Sequence, residues 1–296
     1  MRLGQLAADQ EFIITQYGAW FINSAFGWPT LPTINLPAGG PEYPLATPGI
    51  RLRVKPVEPL TLFFAAFNGN PAGPGLGNPQ LRDSSGTLFR LGDGVYTIAE
   101  AQLAIDSGKN GGGPITLRVG GWYHNRATPN QFFATNGLTG VAPASPGSPI
   151  AREDWSGYAI ADVMLLPGPN GKGGLALFAR AEGAPAQRSQ VSAELATGIV
   201  YQGPFGRDSD NVGFAVDSAR VGQPLGSTGA LASQYTFRGY ETVLELSYQI
   251  QALPWLQVQP DFQYVITPAG GIPNPNQPGR LVGSAAVFGL RIIATF

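Results

Sequence analysis

The carboxy-terminal stretch from Gly283 to Phe296 alternates with period two. One side carries Ala286, Phe288, Leu290, Ile292, Ala294 and Phe296, and the other carries Val287, Gly289, Arg291, Ile293 and Thr295. An apolar row about one bilayer thick, backed by smaller, polar and cationic residues, is typical of a strand between lipid and a wet lumen. Half-buried strands of soluble sheets also alternate, so a soluble β-sandwich binding module stays open at this point.

The same alternation recurs along the chain and predicts about twelve strands. They lie at Leu3–Ala8, Ile50–Lys55, Leu60–Ala66, Val95–Ile105, Ile115–His124, Gly157–Leu165, Leu175–Glu182, Val191–Tyr201, Asn211–Asp217, Tyr240–Ile250, Leu256–Ile266 and Gly283–Phe296. Short links alternate with long connections that are rich in glycine and proline, such as the irregular stretch from Phe12 to Pro44. This asymmetry is typical of transmembrane barrels, which have short periplasmic turns and longer outer loops. We therefore predict an all-β, transmembrane, antiparallel up-and-down β-barrel.

Aromatic residues near predicted strand ends fit this interpretation, because interfacial girdles place them there. They are Tyr96, Tyr123, Tyr201, Tyr240, Trp255 and Tyr264.

Composition excludes several classes of function. Charged residues make up 12% of the chain, against about 25% in a typical soluble domain. The 18 basic and 19 acidic residues nearly cancel and form no basic run, so we predict no nucleic-acid partner. A single histidine, His124, and no cysteine argue against thiol chemistry and most zinc sites. No apolar run is long enough for a transmembrane helix.

The amino terminus lacks the basic start, apolar middle and small-residue cleavage site of a secretory signal. We therefore expect either a mature or truncated chain, or a protein that is not exported.

Several motifs resemble one known family, the carbohydrate-selective porins of Gram-negative outer membranes (OprB-type). They are Gly4–Phe12, Phe21–Pro29, Tyr43–Gly49, Leu117–His124, Gly203–Asp210 and Pro254–Tyr264. The resemblance covers essentially the whole chain. It implies a monosaccharide-permeable outer-membrane barrel of about sixteen strands, with an inward-folded loop that narrows the pore. Complete members have a signal peptide and roughly four more strands before this segment, so residues 1–296 are expected to be a single barrel domain that lacks them.

A sugar-selective pore needs aromatic surfaces that stack on pyranose faces, and charged or amide groups that exchange hydrogen bonds with hydroxyls. Inward positions near mid-strand supply both. The candidate substrate-pathway residues are Glu100, Arg118, Trp122, Asp162, Phe178, Arg180, Glu182, Glu194, Glu241, Glu245, Asp261 and Arg291. Any lumen also carries mixed charges that keep it wet and lock opposite walls together, so each residue has this alternative role.

No motif indicates catalysis. Gly203–Asp210 has two aspartates two positions apart, but a turn with a salt-bridged Arg207 explains it more simply than calcium does. No metal-binding histidine pair or catalytic triad can be placed, so neither a metal nor another cofactor is predicted. The expected partners are outer-membrane lipid and small sugars, and the residues leave a homo-oligomer open. A general porin and a non-transporting outer-membrane barrel remain the alternatives.

Overall fold

The computed structural model describes residues 1–75, 77–106, 112–126, 153–168, 173–186, 189–221, 239–271, 274, 276–277 and 279–295. Within these residues, one sheet of twelve strands runs in chain order, and each strand is antiparallel to the next. The prediction of an all-β, up-and-down architecture with twelve strands is therefore confirmed.

The strands are β1 (Arg2–Leu6), β2 (Thr47–Val57), β3 (Leu60–Asn68), β4 (Val95–Asp106), β5 (Pro114–His124), β6 (Asp154–Pro167), β7 (Gly174–Gly183), β8 (Val191–Gln202), β9 (Asn211–Val221), β10 (Tyr240–Leu253), β11 (Leu256–Ile266) and β12 (Ala285–Ala294). Helix α1 (Thr30–Asn35) lies between β1 and β2, and α2 (Pro79–Arg82) lies between β3 and β4. No helix among the described residues is long and apolar enough to cross a membrane.

Alternating side chains give the sheet two different faces, as the sequence pattern predicts. On β4, Tyr96, Ile98 and Glu100 are buried on one face, whereas Val95 and Ile105 are exposed on the other. We call the covered face the inner face. The cross-strand register preserves this alternation around the sheet, since a slip of one residue would turn every side chain to the opposite face.

One strand glycine permits close packing on the inner face. A Cβ at Gly120 of β5 would lie 2.4 Å from the ring of Tyr158 and 2.6 Å from the carbonyl oxygen of Ala99. A larger residue would therefore push the tyrosine away from the sheet.

The sheet is open within the described residues. Strand β1 pairs with β2 and strand β12 with β11, and no ladder joins β1 to β12. The outer row of β12 is highly exposed, at 81% for Phe288, 63% for Leu290 and 61% for Ile292. The predicted strand end at Phe296 lies outside the described residues, as do most of the predicted loop 126–155 and parts of the turns at 106–113 and 167–174.

Several details differ from the sequence prediction, and the bounds of several strands are wider than predicted. Strand β1 ends at Leu6 instead of Ala8, which begins a short 3-10 helix. The stretch predicted as an irregular loop contains α1 and several 3-10 turns. The placement of Tyr96 in an outer girdle is wrong, because it shares the inward parity of Glu100 and its ring is fully buried against Trp122, with centroids 6.1 Å apart. The other predicted girdle residues, from Tyr123 to Tyr264, are exposed.

Candidate functional site

Residues 8–46, which connect β1 to β2, lie on the inner face of the sheet; we call them the inner segment. Its side chains Phe12, Ile13 and Leu31 are buried in one apolar cluster with wall residues such as Trp122. Phe21 and Phe26 belong to a second cluster around Phe178. Burial of these large apolar groups is the main force that holds the inner segment against the wall.

The inner segment is irregular, so many of its backbone N–H groups lack a partner within the segment and must find one in the wall. Four carboxylates accept them, one on each of strands β4, β6, β8 and β10. We call Glu100, Asp162, Glu194 and Glu245 the clamp carboxylates. Hydrogen bonds to an ionised acceptor are shorter and stronger than neutral ones, which suits this task.

The first two clamp carboxylates hold the start of the inner segment. Glu100 accepts a hydrogen bond from the amide of Ile13 at 2.9 Å and another from the hydroxyl of Tyr158 at 2.8 Å. Asp162 accepts hydrogen bonds from the amides of Gln16 at 3.0 Å and Tyr17 at 3.4 Å.

The other two clamp carboxylates each accept hydrogen bonds from two consecutive backbone amides. Glu194 accepts from Thr30 at 3.1 Å and Leu31 at 2.6 Å, which are the first amides of α1. Fully buried Glu245 accepts from Ile22 at 2.7 Å and Asn23 at 2.8 Å.

Arg180 also attaches the inner segment to the wall, by donating hydrogen bonds to its backbone carbonyl oxygens. The fully buried guanidinium of Arg180 donates to the carbonyl oxygen of Gly27 at 3.0 Å and to that of Ala25. The same group lies 3.3 Å from Glu194 and 3.7 Å from Glu182, which is also buried. A single cation thus links two wall carboxylates to the inner segment.

Two further predicted arginines make wall contacts. Arg118 of β5 pairs with Asp162 of the neighbouring strand at 2.5 Å. Arg291 of β12 donates to Gln259, and its guanidinium also lies 3.5 Å from the carbonyl oxygen of Trp20. Arg118 therefore supports a clamp carboxylate, whereas Arg291 contacts the inner segment directly.

The remaining predicted acids accept no hydrogen bond from an amide of the inner segment among the described residues. Asp261 is buried on β11 and accepts a hydrogen bond from Gln263 at 2.8 Å. Glu241 lies at the start of β10 and accepts from the amide of Ala269, in the connection between β11 and β12.

The two predicted stacking residues face inward but are covered. Phe178 is 0% exposed, and its ring centroid lies 5.9 Å from that of Phe21 and 6.3 Å from that of Phe26. Trp122 is 2% exposed against Tyr96. Whether any of the twelve predicted residues contacts a sugar stays a prediction.

Several residues that position the inner segment were not predicted. Glu11 pairs with Arg51, and Asn35 forms two hydrogen bonds with the backbone of Val191, at 2.8 and 3.1 Å. The side chain of Asn23 donates to Gln263 at 2.9 Å. The aromatic content of residues 12–28 was the available signal, because a solvated loop rarely carries so many large apolar groups.

Two other sequence interpretations concern turns and strand ends. Arg207 forms a salt bridge with Asp210, as predicted for the turn between β8 and β9. His124 is buried, bonds through Nε2 to the carbonyl oxygen of Gly69 at 2.8 Å, and accepts at Nδ1 from the amide of Arg126. Among the described residues, no three His, Asp or Glu side chains converge in a way that could hold a metal ion.

The inner segment also contains two acids, Asp9 and Glu42, that interact with each other and have raised pKa values. Burial raises the pKa of Glu42 to about 8, and the charge of Asp9 contributes to that increase. Burial likewise raises the pKa of Asp9, although its hydrogen bond from the amide of Tyr43 opposes the change. The charge of Glu42 therefore changes with pH near neutrality.

Comparison with known proteins gives consistent matches. A model of the "Carbohydrate-selective porin, OprB family" matches residues 1–296. Porin B of Pseudomonas aeruginosa is 27% identical in an alignment 273 positions long, which covers 86% of this chain and 56% of Porin B. The chain thus spans little more than half of that relative. The high-pH structure of Pseudomonas putida OprB matches with a TM-score of 0.76 and 21% identity, over 99% of this chain and 69% of that one. At this identity, the likeness is one of fold.

Proposed function

The chain belongs to the carbohydrate-selective porin (OprB) family of the outer membrane, and on that basis we propose that the protein containing it forms a pore for passive diffusion of glucose-sized sugars. The family is one of channels, not of enzymes. We accordingly propose that the protein has no catalytic activity and needs no cofactor.

The observation that carries this proposal is the inner segment, fixed to the inner face from β4 to β12. A fixed segment inside a barrel narrows the lumen and acts as a size filter. Attachment to several strands also keeps the filter rigid, because release of one bond leaves the others in place. Rigid narrowing favours monosaccharides over larger solutes.

We propose different roles for the predicted pathway residues. The clamp carboxylates and Arg180 contribute indirectly, since they fix the inner segment and thereby the width of the passage. Arg118, Glu241 and Arg291 are candidates for direct contact with sugar hydroxyls, because they are partly exposed. The buried residues Asp261, Glu182, Trp122 and Phe178 would support the wall of the passage.

We further propose that residues 1–296 form part of a single barrel of about sixteen strands. The open sheet supports this proposal. In a membrane, its edge strands β1 and β12 would need additional strands to pair their backbone N–H and C=O groups. The longer chains of the relatives leave room for such strands.

Liposome swelling tests the proposed function. The full-length protein should admit glucose quickly, maltose more slowly and longer oligosaccharides hardly at all, whereas protein-free liposomes should admit none of them. Equal rates for glucose, maltose and amino acids would contradict sugar selectivity and favour a general porin. No swelling with any solute would favour a non-transporting barrel.

A further inference from the structure

The inner face of β9, β10 and β11 carries a patch of side-chain amides near the short turns. We call Asn211, Gln249, Gln251, Gln257 and Gln259 the amide ladder. The backbone register places Asn211 opposite Gln249 and Gln251 opposite Gln257. Elsewhere on the described inner face, the polar side chains are mostly charged groups that hold the inner segment or pair with one another.

The amides of the ladder form two hydrogen-bonded groups across the three strands. Asn211 donates to Gln249 at 2.9 Å, Gln249 lies 3.4 Å from Gln259, and Gln257 donates to Gln251 at 2.8 Å. Gln259 has no capacity left, because its NH₂ group donates to Trp20 and Ser247 and its oxygen accepts from Gln249 and Arg291. The NH₂ group of Gln251 donates to backbone carbonyl oxygens. A primary amide offers two donor hydrogens and a carbonyl oxygen with two lone pairs, so Asn211, Gln249 and Gln257 keep part of their capacity. The ladder therefore retains both donors and acceptors for a solute.

Four of the five amides are partly exposed on the inner face, and only Gln259 is buried. Gln259 is also the rung that touches the inner segment, because it donates to the carbonyl oxygen of Trp20 at 2.8 Å. Trp20, Gln249 and Gln259 meet Ser247 around a cleft that has room for about one water molecule. A sugar would therefore contact the exposed parts of Trp20 and Gln249 instead of entering the cleft. An aromatic residue and convergent neutral amides are the groups that a sugar-binding surface needs.

Neutral amides suit a polyol better than charged groups do. They exchange hydrogen bonds with hydroxyls as both donor and acceptor, and they attract no counter-ion that would compete for the site. Several equivalent weak contacts in a row allow a solute to move from one to the next without a deep trap, which passage through a pore requires.

We propose that the amide ladder is a binding track for neutral polyols, along which a sugar passes from the inner segment at Trp20 to the end of the barrel with the short turns. This inference rests on the proposed sugar-channel function and assigns a site to it.

The test uses the full-length protein in planar bilayers, with glucose as the probe and its partial block of the potassium chloride current as the readout. Substitution of both Gln249 and Gln257 by Leu removes two amides at nearly constant volume. The half-blocking glucose concentration should rise roughly threefold to tenfold per amide lost, since a hydrogen bond contributes about 1 kcal/mol.

Two other variants separate binding from structure. The double variant Gln249→Asn and Gln257→Asn keeps the amide groups and should retain most of the glucose block. Gln80→Leu alters an exposed glutamine of α2, away from the ladder, and should behave like the unmodified protein. Each variant is first shown to migrate as a folded, heat-modifiable barrel in gels.

The possible outcomes distinguish the two proposals. If the unmodified protein is blocked by glucose and the Leu double variant is blocked equally well, the amide ladder is not a binding track and the channel function stands. If the Asn and Leu double variants lose the block equally, the amide chemistry is irrelevant and the inference is overturned. If glucose neither permeates nor blocks the unmodified protein, the proposed function and the ladder both fail.

Discussion

The attachment of the inner segment at Glu245 permits a quantitative test. The two carboxylate oxygens of this buried residue accept separate hydrogen bonds, from Ile22 at 2.7 Å and from Asn23 at 2.8 Å. Glutamine is nearly isosteric with glutamate but offers only one acceptor atom. In the variant Glu245→Gln, one backbone N–H would therefore lose its acceptor and face an NH₂ group.

The expected loss follows from these two contacts. A hydrogen bond to a charged acceptor contributes about 1.5 to 3 kcal/mol, and a buried donor left without a partner costs about 1 to 3 kcal/mol. Partial overlap of these terms gives a local destabilisation on the order of 3 kcal/mol, which corresponds to roughly a hundredfold larger population of detached segment.

Hydrogen exchange measures this population directly. In the purified barrel, the amides of Ile22 and Asn23 should exchange roughly a hundredfold faster in Glu245→Gln than in the unmodified protein. Amides in the middle of β10 should keep their protection, because the change releases the segment and not the sheet.

Glu58→Gln provides the matched control. Glu58 lies in the turn between β2 and β3, is 78% exposed at its side chain and pairs with Lys55. A surface ion pair of this kind contributes little, so exchange at Ile22 and Asn23 should not change. If Glu245→Gln and Glu58→Gln gave the same exchange rates at these amides, the clamp would be unnecessary and the reasoning would be refuted.

Three further predictions use other parts of the chain. Leu246→Arg, on the outer face of β10, should lower the free energy of unfolding in bilayers by about 2 to 4 kcal/mol, and Gln249→Arg on the inner face by much less; equal losses would contradict the assignment of the two faces. Because the pKa of Glu42 rises from 4.5 to about 8 on folding, folded Glu42 binds more protons than unfolded Glu42, so stability should fall as the pH rises through that window. Glu42→Gln should weaken this dependence in detergent melts at pH 5 and pH 8.5, while the raised pKa of Asp9 keeps a contribution of the same sign. A dependence of unchanged size would assign it to another group. Gly198→Ala should lower the free energy of unfolding by about 1 to 3 kcal/mol, because the added Cβ would lie 2.6 Å from the ring of Phe178. Gly183→Ala should lower it much less, because no atom lies within 4 Å of the added Cβ. The unfolding temperatures of the two variants test this difference.

The architecture could be predicted from the sequence because its determinants are local. Alternation with period two is a property of each strand by itself, and short turns bring consecutive strands together as antiparallel neighbours. For that reason the inward positions of Glu100, Arg118 and Arg180 were predicted correctly, although their partners were not. The parity of Tyr96 was available from the same pattern, and the error came from giving more weight to its position near a strand end.

The conformation of the inner segment was decided by tertiary structure. Its amides at Ile22 and Asn23 bond to a carboxylate more than 220 positions away in the chain, and no local pattern specifies such a contact. Coverage is a tertiary property too, because Phe178 faces inward by strand parity but becomes fully buried only when Phe21 and Phe26 pack over it. Strand alternation therefore determined which side chains face the interior, whereas the folding of a distant segment onto them decided which of those side chains remain open.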